Sequence, residues 1–152
     1  ALSDILTRAY HQADIIEGNC HSQATYICIE GPQFSTRAES EWYRQMQADI
    51  IGMTNMPEAK LAREASMAYA TLALVTDFDC WHPTEEAVSA DYAIKNLMKN
   101  AENAQHVIQK AVALIAAEMP ESIAHSALAQ ALVTPVDMMD EHTKIRLAAL
   151  LA

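Results

Sequence analysis

The 152-residue chain predicts an α/β fold, and three observations carry that prediction. Short apolar segments rich in β-branched residues alternate with segments whose apolar residues recur every three or four positions. The apolar segments end in clusters of Gly, Pro, Asn or Asp, the residues that turn a chain. Two of the helical segments open on a capping sequence or a proline.

Along residues 3–16, Ile5, Leu6, Ala9, Ala13 and Ile16 fall on one helical face, and Gly18-Asn19 ends that helix. Residues 23–30 read as a strand bounded by Gly31-Pro32. Thr36-Arg37-Ala38-Glu39 pairs a hydroxyl residue with a glutamate three positions on, the form of a capping box, so a helix is expected from there to Gln47. Residues 49–53 are short and apolar between polar neighbours, as a buried strand is. Pro57-Glu58 then opens a helix that ends near Ser66. A third strand is predicted at 69–75, with the continuous apolar content of a strand covered on both faces. Residues 91–118 form a long helix and 141–151 a shorter amphipathic one. No repeat, low-complexity tract or linker interrupts the series, so residues 1–152 are read as one domain.

Composition narrows the function. Half of the residues are hydrophobic, which excludes disorder, and the formal charge of −10 argues against a phosphate-backbone partner such as nucleic acid. No apolar stretch approaches the roughly 20 residues a membrane span needs. Cys20, Cys28 and Cys80 are odd in number and lack ligand spacing, as do His11, His21, His82, His106, His125 and His142, so no metal is expected. Unpaired cysteines fit a reducing cytoplasm. The chain opens on Ala1 instead of methionine, as a processed protein or a part of a longer chain does.

Three polar loops stand where the predicted strands end: Gly31-Pro32-Gln33-Phe34-Ser35, Met53-Thr54-Asn55-Met56-Pro57-Glu58 and Thr76-Asp77-Phe78-Asp79-Cys80-Trp81. In α/β sheets, ligands collect at the carboxyl ends of strands, so three such loops would line one site. Each has an ordinary use as well. Phe34 would be core, Thr54 a helix N-cap, Met53 core, and Asp77 with Asp79 a solvated turn.

Together the loops say more. Glu30-Gly31-Pro32-x-Phe34-Ser35-Thr36-Arg37-Ala38-Glu39-Ser40, Gly52-Met53-Thr54-Asn55-x-Pro57-Glu58-x-x-Leu61-Ala62-Arg63-Glu64-Ala65 and Thr76-Asp77-Phe78-Asp79-Cys80-Trp81 resemble the methylthioadenosine phosphorylases of the trimeric purine nucleoside phosphorylase superfamily. The resemblance continues through the tail from His125 to Leu150 and covers the second half of the family's chain. It implies a central mixed sheet flanked by helices, of which residues 1–152 supply the C-terminal part.

The activity it implies is phosphorolysis of 5′-methylthioadenosine to adenine and 5-methylthioribose 1-phosphate. Inorganic phosphate is the co-substrate, no cofactor takes part, and the assembly is a homotrimer serving purine and methionine salvage. By similarity, Phe34 packs against purine and ribose, Ser35 lies at the base, and Met53 and Thr54 touch ribose and phosphate. Thr54 is the one phosphate contact in this half. Asp77 is the expected catalytic acid, donating a proton to N7 as charge builds on the leaving purine. Asp79 would accept from the 6-amino group, and burial with a neighbouring carboxylate would favour the protonated form of Asp77. Relatives that cleave 6-oxopurine nucleosides typically carry Glu where Ser35 falls and Asn where Asp77 falls, so both positions here point to adenine. Ala90, Ala93 and Ile94 share a helical face that the resemblance sets beside the 5′ substituent; such a stripe is more often core.

The first half of the family's chain would supply the opening strand, a Gly-containing phosphate loop and an Arg-His pair, making that half an expected partner. Two other readings stay open: a noncatalytic purine-binding or oligomerising fragment, and a related phosphorylase or nucleosidase.

Overall fold

The computed structural model describes residues 1–15, 18–82 and 90–151, with the side chains of 90–93 outside that description. Its first helix, α1 (Leu2–Gln12), lays Ile5 and Ala9 against Val107 and Ala111 of the long helix α4 (Ala90–Glu118). These four side chains are at most 4% exposed and form the core, flanked by Leu2, Leu6, Tyr10, Leu72, Leu114 and Ile115. The small residues Ala9 and Ala111 allow the helices to approach closely, and Val107 fills the gap. At the rim, the Arg8 guanidinium donates two hydrogen bonds to Glu118, 2.9 and 2.7 Å. Helix α1 ends at Gln12, four residues before its apolar periodicity does, and Ala13 is extended.

Between these helices, β1 (Tyr26–Cys28) and β2 (Ile50–Gly52) pair in parallel, with Tyr26 opposite Ile50, Ile27 opposite Ile51 and Cys28 opposite Gly52. A parallel pair requires a crossover, and α2 (Arg37–Gln45) provides it. The Thr36 capping box forms as expected: the Thr36 amide and hydroxyl both donate to Glu39, and the Glu39 amide donates back to the Thr36 hydroxyl. The backbone hydrogen bond from Thr36, then its hydroxyl, hold the Glu39 carboxyl below the usual carboxylate range. The box is therefore complete at neutral pH and weakens as the pH falls through that lowered value. Gly52 closes β2 under the Tyr26 ring; a Cβ there would fall on the Tyr26 hydroxyl.

Beyond β2 come α3 (Glu58–Glu64), a short 3₁₀ turn (Ile123–Ser126), α5 (Ala127–Ala131), a second 3₁₀ turn (Val136–Met138) and α6 (Glu141–Leu151). The α/β class holds.

The third strand does not form. Residues 69–75 join no ladder, so among the described residues the sheet has two parallel strands and lacks the further strands of a mixed sheet. The reason is visible in the burial pattern. Leu72 and Leu74 are half-buried while Tyr69, Thr71, Ala73 and Val75 are exposed, so one face packs and the other does not. A strand covered on both faces is the expectation; this segment has no strand neighbour among the described residues. Its last carbonyls are met by side chains, Asn100 donating to Val75 at 2.8 Å and Asn96 to Thr76 at 3.1 Å.

Candidate active site

Parallel pairing sends β1 and β2 out at the same edge, so the loops after Cys28 and Gly52 leave side by side. Gly31 has φ +70°, and a Cβ on it would stand 2.7 Å from the Met53 sulfur. Glycine is needed there twice over, for the left-handed backbone and for the space Met53 fills. The Met56 amide donates to Cys28 Sγ at 3.3 Å, and Asn55 donates to the Thr71 hydroxyl at 2.9 Å. The second loop is thus held against the first loop, β1 and Thr71.

The third loop follows residues 69–75 and is tied to α2. Ser40 Oγ donates to Asp79 Oδ2 at 2.5 Å, and Cys80 Sγ donates weakly to the Ser35 carbonyl at 3.6 Å. The Arg44 guanidinium lies 3.8 Å from the centre of the Trp81 ring, a cation–π contact that fixes the loop's far end. All three predicted loops are brought together.

Phe34 is 84% exposed and so is not core. Thr54 does not cap α3, whose N-cap is Pro57 with no side-chain bond; the Thr54 hydroxyl has no partner among the described residues. Met53 is half-buried over Gly31. Ser35 Oγ is buried and has no hydrogen-bond partner among the described residues, the kind of orphaned group that a ligand satisfies.

Asp77 accepts from the Thr76 hydroxyl at 2.7 Å and from the Asp79 amide at 2.9 Å. It is exposed, so the described residues do not supply the burial expected around it, although the Asp79 carboxylate is adjacent. Ile94 is 53% exposed and so is not core. The side chains of Ala90 and Ala93 lie outside the described residues, and the Asn96 contact to Thr76 sets the start of α4 beside the third loop.

A groove of about 470 Å³ lies elsewhere, between α3 and the first 3₁₀ turn, with Lys60, Arg63, Tyr69 and Ser122 on its walls; none of the predicted site residues lines it. Among the described residues no three His, Cys, Asp or Glu gather as a metal site, and no helix is long and apolar enough to cross a membrane.

The profile of the Phosphorylase superfamily matches residues 2–113. The chain belongs to the phosphorylase superfamily. It is 49% identical over its full length to an S-methyl-5′-thioadenosine phosphorylase of Thermosynechococcus vestitus, covering 53% of that protein. With the phosphorylase of the same name from Gloeobacter violaceus the identity is 50%, over 99% of this chain and 51% of the other. A crystal structure of a methylthioadenosine phosphorylase from an antarctic soil metagenomic library superposes with a TM-score of 0.92 at 79% identity, over 99% of this chain and 53% of that one. A double mutant of the adenosine/methylthioadenosine phosphorylase of Schistosoma mansoni, in complex with adenine, gives 0.77 at 34% identity over 90% and 53%. This phosphorylase chain spans about half the length of the relatives it matches.

Three contacts in the phosphorylase loops were not foreseen. Ser40 was part of a recognised motif but had no role, and neither Arg44 nor the Asn96–Asn100 pair was singled out. A serine in the middle of an otherwise amphipathic helix was the one available signal for the first. The orphaned Ser35 hydroxyl makes a prediction. Ser35→Ala, in a phosphorylase completed with the part this chain does not span, should leave the melting temperature unchanged or slightly higher, since no hydrogen bond is lost. Its affinity for adenine should fall. A drop of about 4 °C or more without ligand would show that Ser35 is a structural donor.

Proposed function

We propose that the chain forms the base- and sugar-binding part of a 5′-methylthioadenosine phosphorylase. Phosphate attacks the anomeric carbon, the bond to the purine nitrogen breaks, and its electrons pass into the base. Adenine and 5-methylthioribose 1-phosphate leave. The observation that carries this reading is the gathering of all three loops at one sheet edge, in a chain 79% identical to a methylthioadenosine phosphorylase.

Each residue has a task in that reaction. The exposed Phe34 ring covers the purine and ribose, where stacking contributes about 1 kcal/mol beyond area burial. The Ser35 hydroxyl, unpaired among the described residues, meets the base, Met53 the ribose, and the Thr54 hydroxyl, likewise without a partner among them, the phosphate. Asp77 protonates N7 and Asp79 accepts from the 6-amino group; ligand and neighbouring chain supply the burial that Asp77 lacks here. Ala90, Ala93 and Ile94 are assigned to the 5′ methylthio group by the resemblance and by their helical spacing.

The remaining phosphate ligands belong to the part of the family's chain that this one does not span, and no cofactor is required. That the chain spans only about half the length of the relatives it matches supports such a partner. A homotrimer working in purine and methionine salvage in the cytoplasm belongs to the same reading.

The test joins this chain to the rest of the 79% identical antarctic phosphorylase. The product should release adenine from methylthioadenosine only when phosphate is present. Release without phosphate would make it a hydrolase, and no release from a folded protein would overturn the reading.

A further inference from the structure

We propose that Ser40 is a positioning residue that sets base selectivity by fixing the Asp79 carboxylate. This inference rests on the reading above, in which Asp79 faces the 6-amino group.

Ser40 is 2% exposed, the most buried of the polar side chains among the described residues. A serine inside a helix ordinarily turns its hydroxyl back to a carbonyl of the preceding turn. Here the Ser40 backbone amide keeps its helical bond to Thr36, while Oγ reaches away from the helix to Asp79 Oδ2, 39 residues on in the chain. The 2.5 Å separation is that of a hydroxyl donating to a charged oxygen, the stronger class of hydrogen bond. Asp79 itself sits at φ +60°, a backbone conformation that aspartate tolerates better than most residues. Hydrogen bond and backbone together leave its carboxylate little freedom.

The consequence is a chain of three groups. Ser40 occupies Asp79 Oδ2, and Asp79 Oδ1 accepts nothing among the described residues, so one acceptor is left for a ligand donor. The Asp79 amide in turn donates to Asp77 Oδ1. One buried hydroxyl therefore orients the carboxylate that reads the base, while the bond to Asp77 comes from the backbone amide and does not depend on that hydroxyl. A fixed acceptor discriminates between a 6-amino donor and a 6-oxo acceptor; a carboxylate free to rotate away discriminates less.

The experiment uses the completed phosphorylase and compares kcat/KM for methylthioadenosine with that for its 6-oxo counterpart, methylthioinosine. Ser40→Ala should lower the value for the adenine nucleoside about 10-fold or more while leaving the 6-oxo value unchanged or raised, and Ser40→Thr should restore both. On an Asp79→Ala background, Ser40→Ala should add no further loss of selectivity, because the two act as one unit. If Ser40→Ala does not fold, Ser40→Cys keeps the volume with a weaker donor and should fall between wild type and the loss expected for alanine. Equal losses for both nucleosides, or additive losses in the double variant, would reduce Ser40 to a structural residue. Selectivity lost in Asp79→Ala but kept in Ser40→Ala overturns this inference alone. Selectivity kept in Asp79→Ala overturns the reading of Asp79 beneath it.

Discussion

Asparagine at position 77 should slow phosphorolysis of methylthioadenosine in the completed enzyme by ~10²–10⁴-fold, the range associated with losing a general acid. The side chain keeps its shape but can no longer deliver a proton to N7 when the glycosidic bond breaks. Its carbonyl can still accept the Asp79 amide, and the NH2 that replaces the other oxygen can donate to the Thr76 hydroxyl, so the two contacts that hold Asp77 survive with one of them reversed and the loop itself should stay in place. The new amide also offers a donor to a 6-oxo group, which the aspartate repels. Relative use of methylthioinosine should therefore rise as absolute activity toward methylthioadenosine falls. The measurement is kcat/KM for both nucleosides at saturating phosphate. A variant with the parent's rate and preference would remove Asp77 from the chemistry.

The second large effect is all or none. The 152-residue chain by itself is expected to show no phosphate-dependent release of adenine, and adding the remainder of the phosphorylase should bring the activity into range. Attack on the anomeric carbon requires a positioned phosphate, and in this reading the chain offers it only the Thr54 hydroxyl. The site's own surface argues the same way. Phe34 and Phe78 are 84% and 58% exposed, and Asp77 lies open to water. Such a cleft stacks a base poorly and leaves the acid solvated, so both binding and proton transfer suffer. An adenine-release assay on chain of verified mass decides it. Turnover at an ordinary enzymatic rate would mean that the chain carries a complete site.

How much of this was legible in the sequence depends on what each residue needed. The Thr36 capping box was read directly, because its partners are three residues apart and its geometry is local. The helical faces of α1 and α4 were read from period, although nothing in the period showed that the two pack on each other. Residues 69–75 misled for a physical reason: apolar content marks a segment that can be buried, but a ladder needs a neighbour, and no local pattern reports one. The loops were identified by their combined motifs, while the bonds that gather them were not. Ser40 and Asp79 are 39 residues apart, and their pairing follows from how α2 crosses between the strands. The orphaned Ser35 hydroxyl was invisible for the same reason, since a missing partner is a property of the folded neighbourhood.

The seam between α1 and α4 also bears on the order in which the chain acquires its structure. Arg8 and Glu118 stand 110 positions apart, so making this contact closes a loop that contains both strands and all three site loops. Closing such a loop in a flexible chain costs about 4 kcal/mol of entropy, against about 3 for the 24 positions separating Tyr26 from Ile50. The strand–helix–strand unit can therefore form early and shorten the path that the two helices must search. Side chains such as Ile5 and Val107 then act mainly as a late clasp: trimming them should quicken the opening of the fold more than it slows its formation.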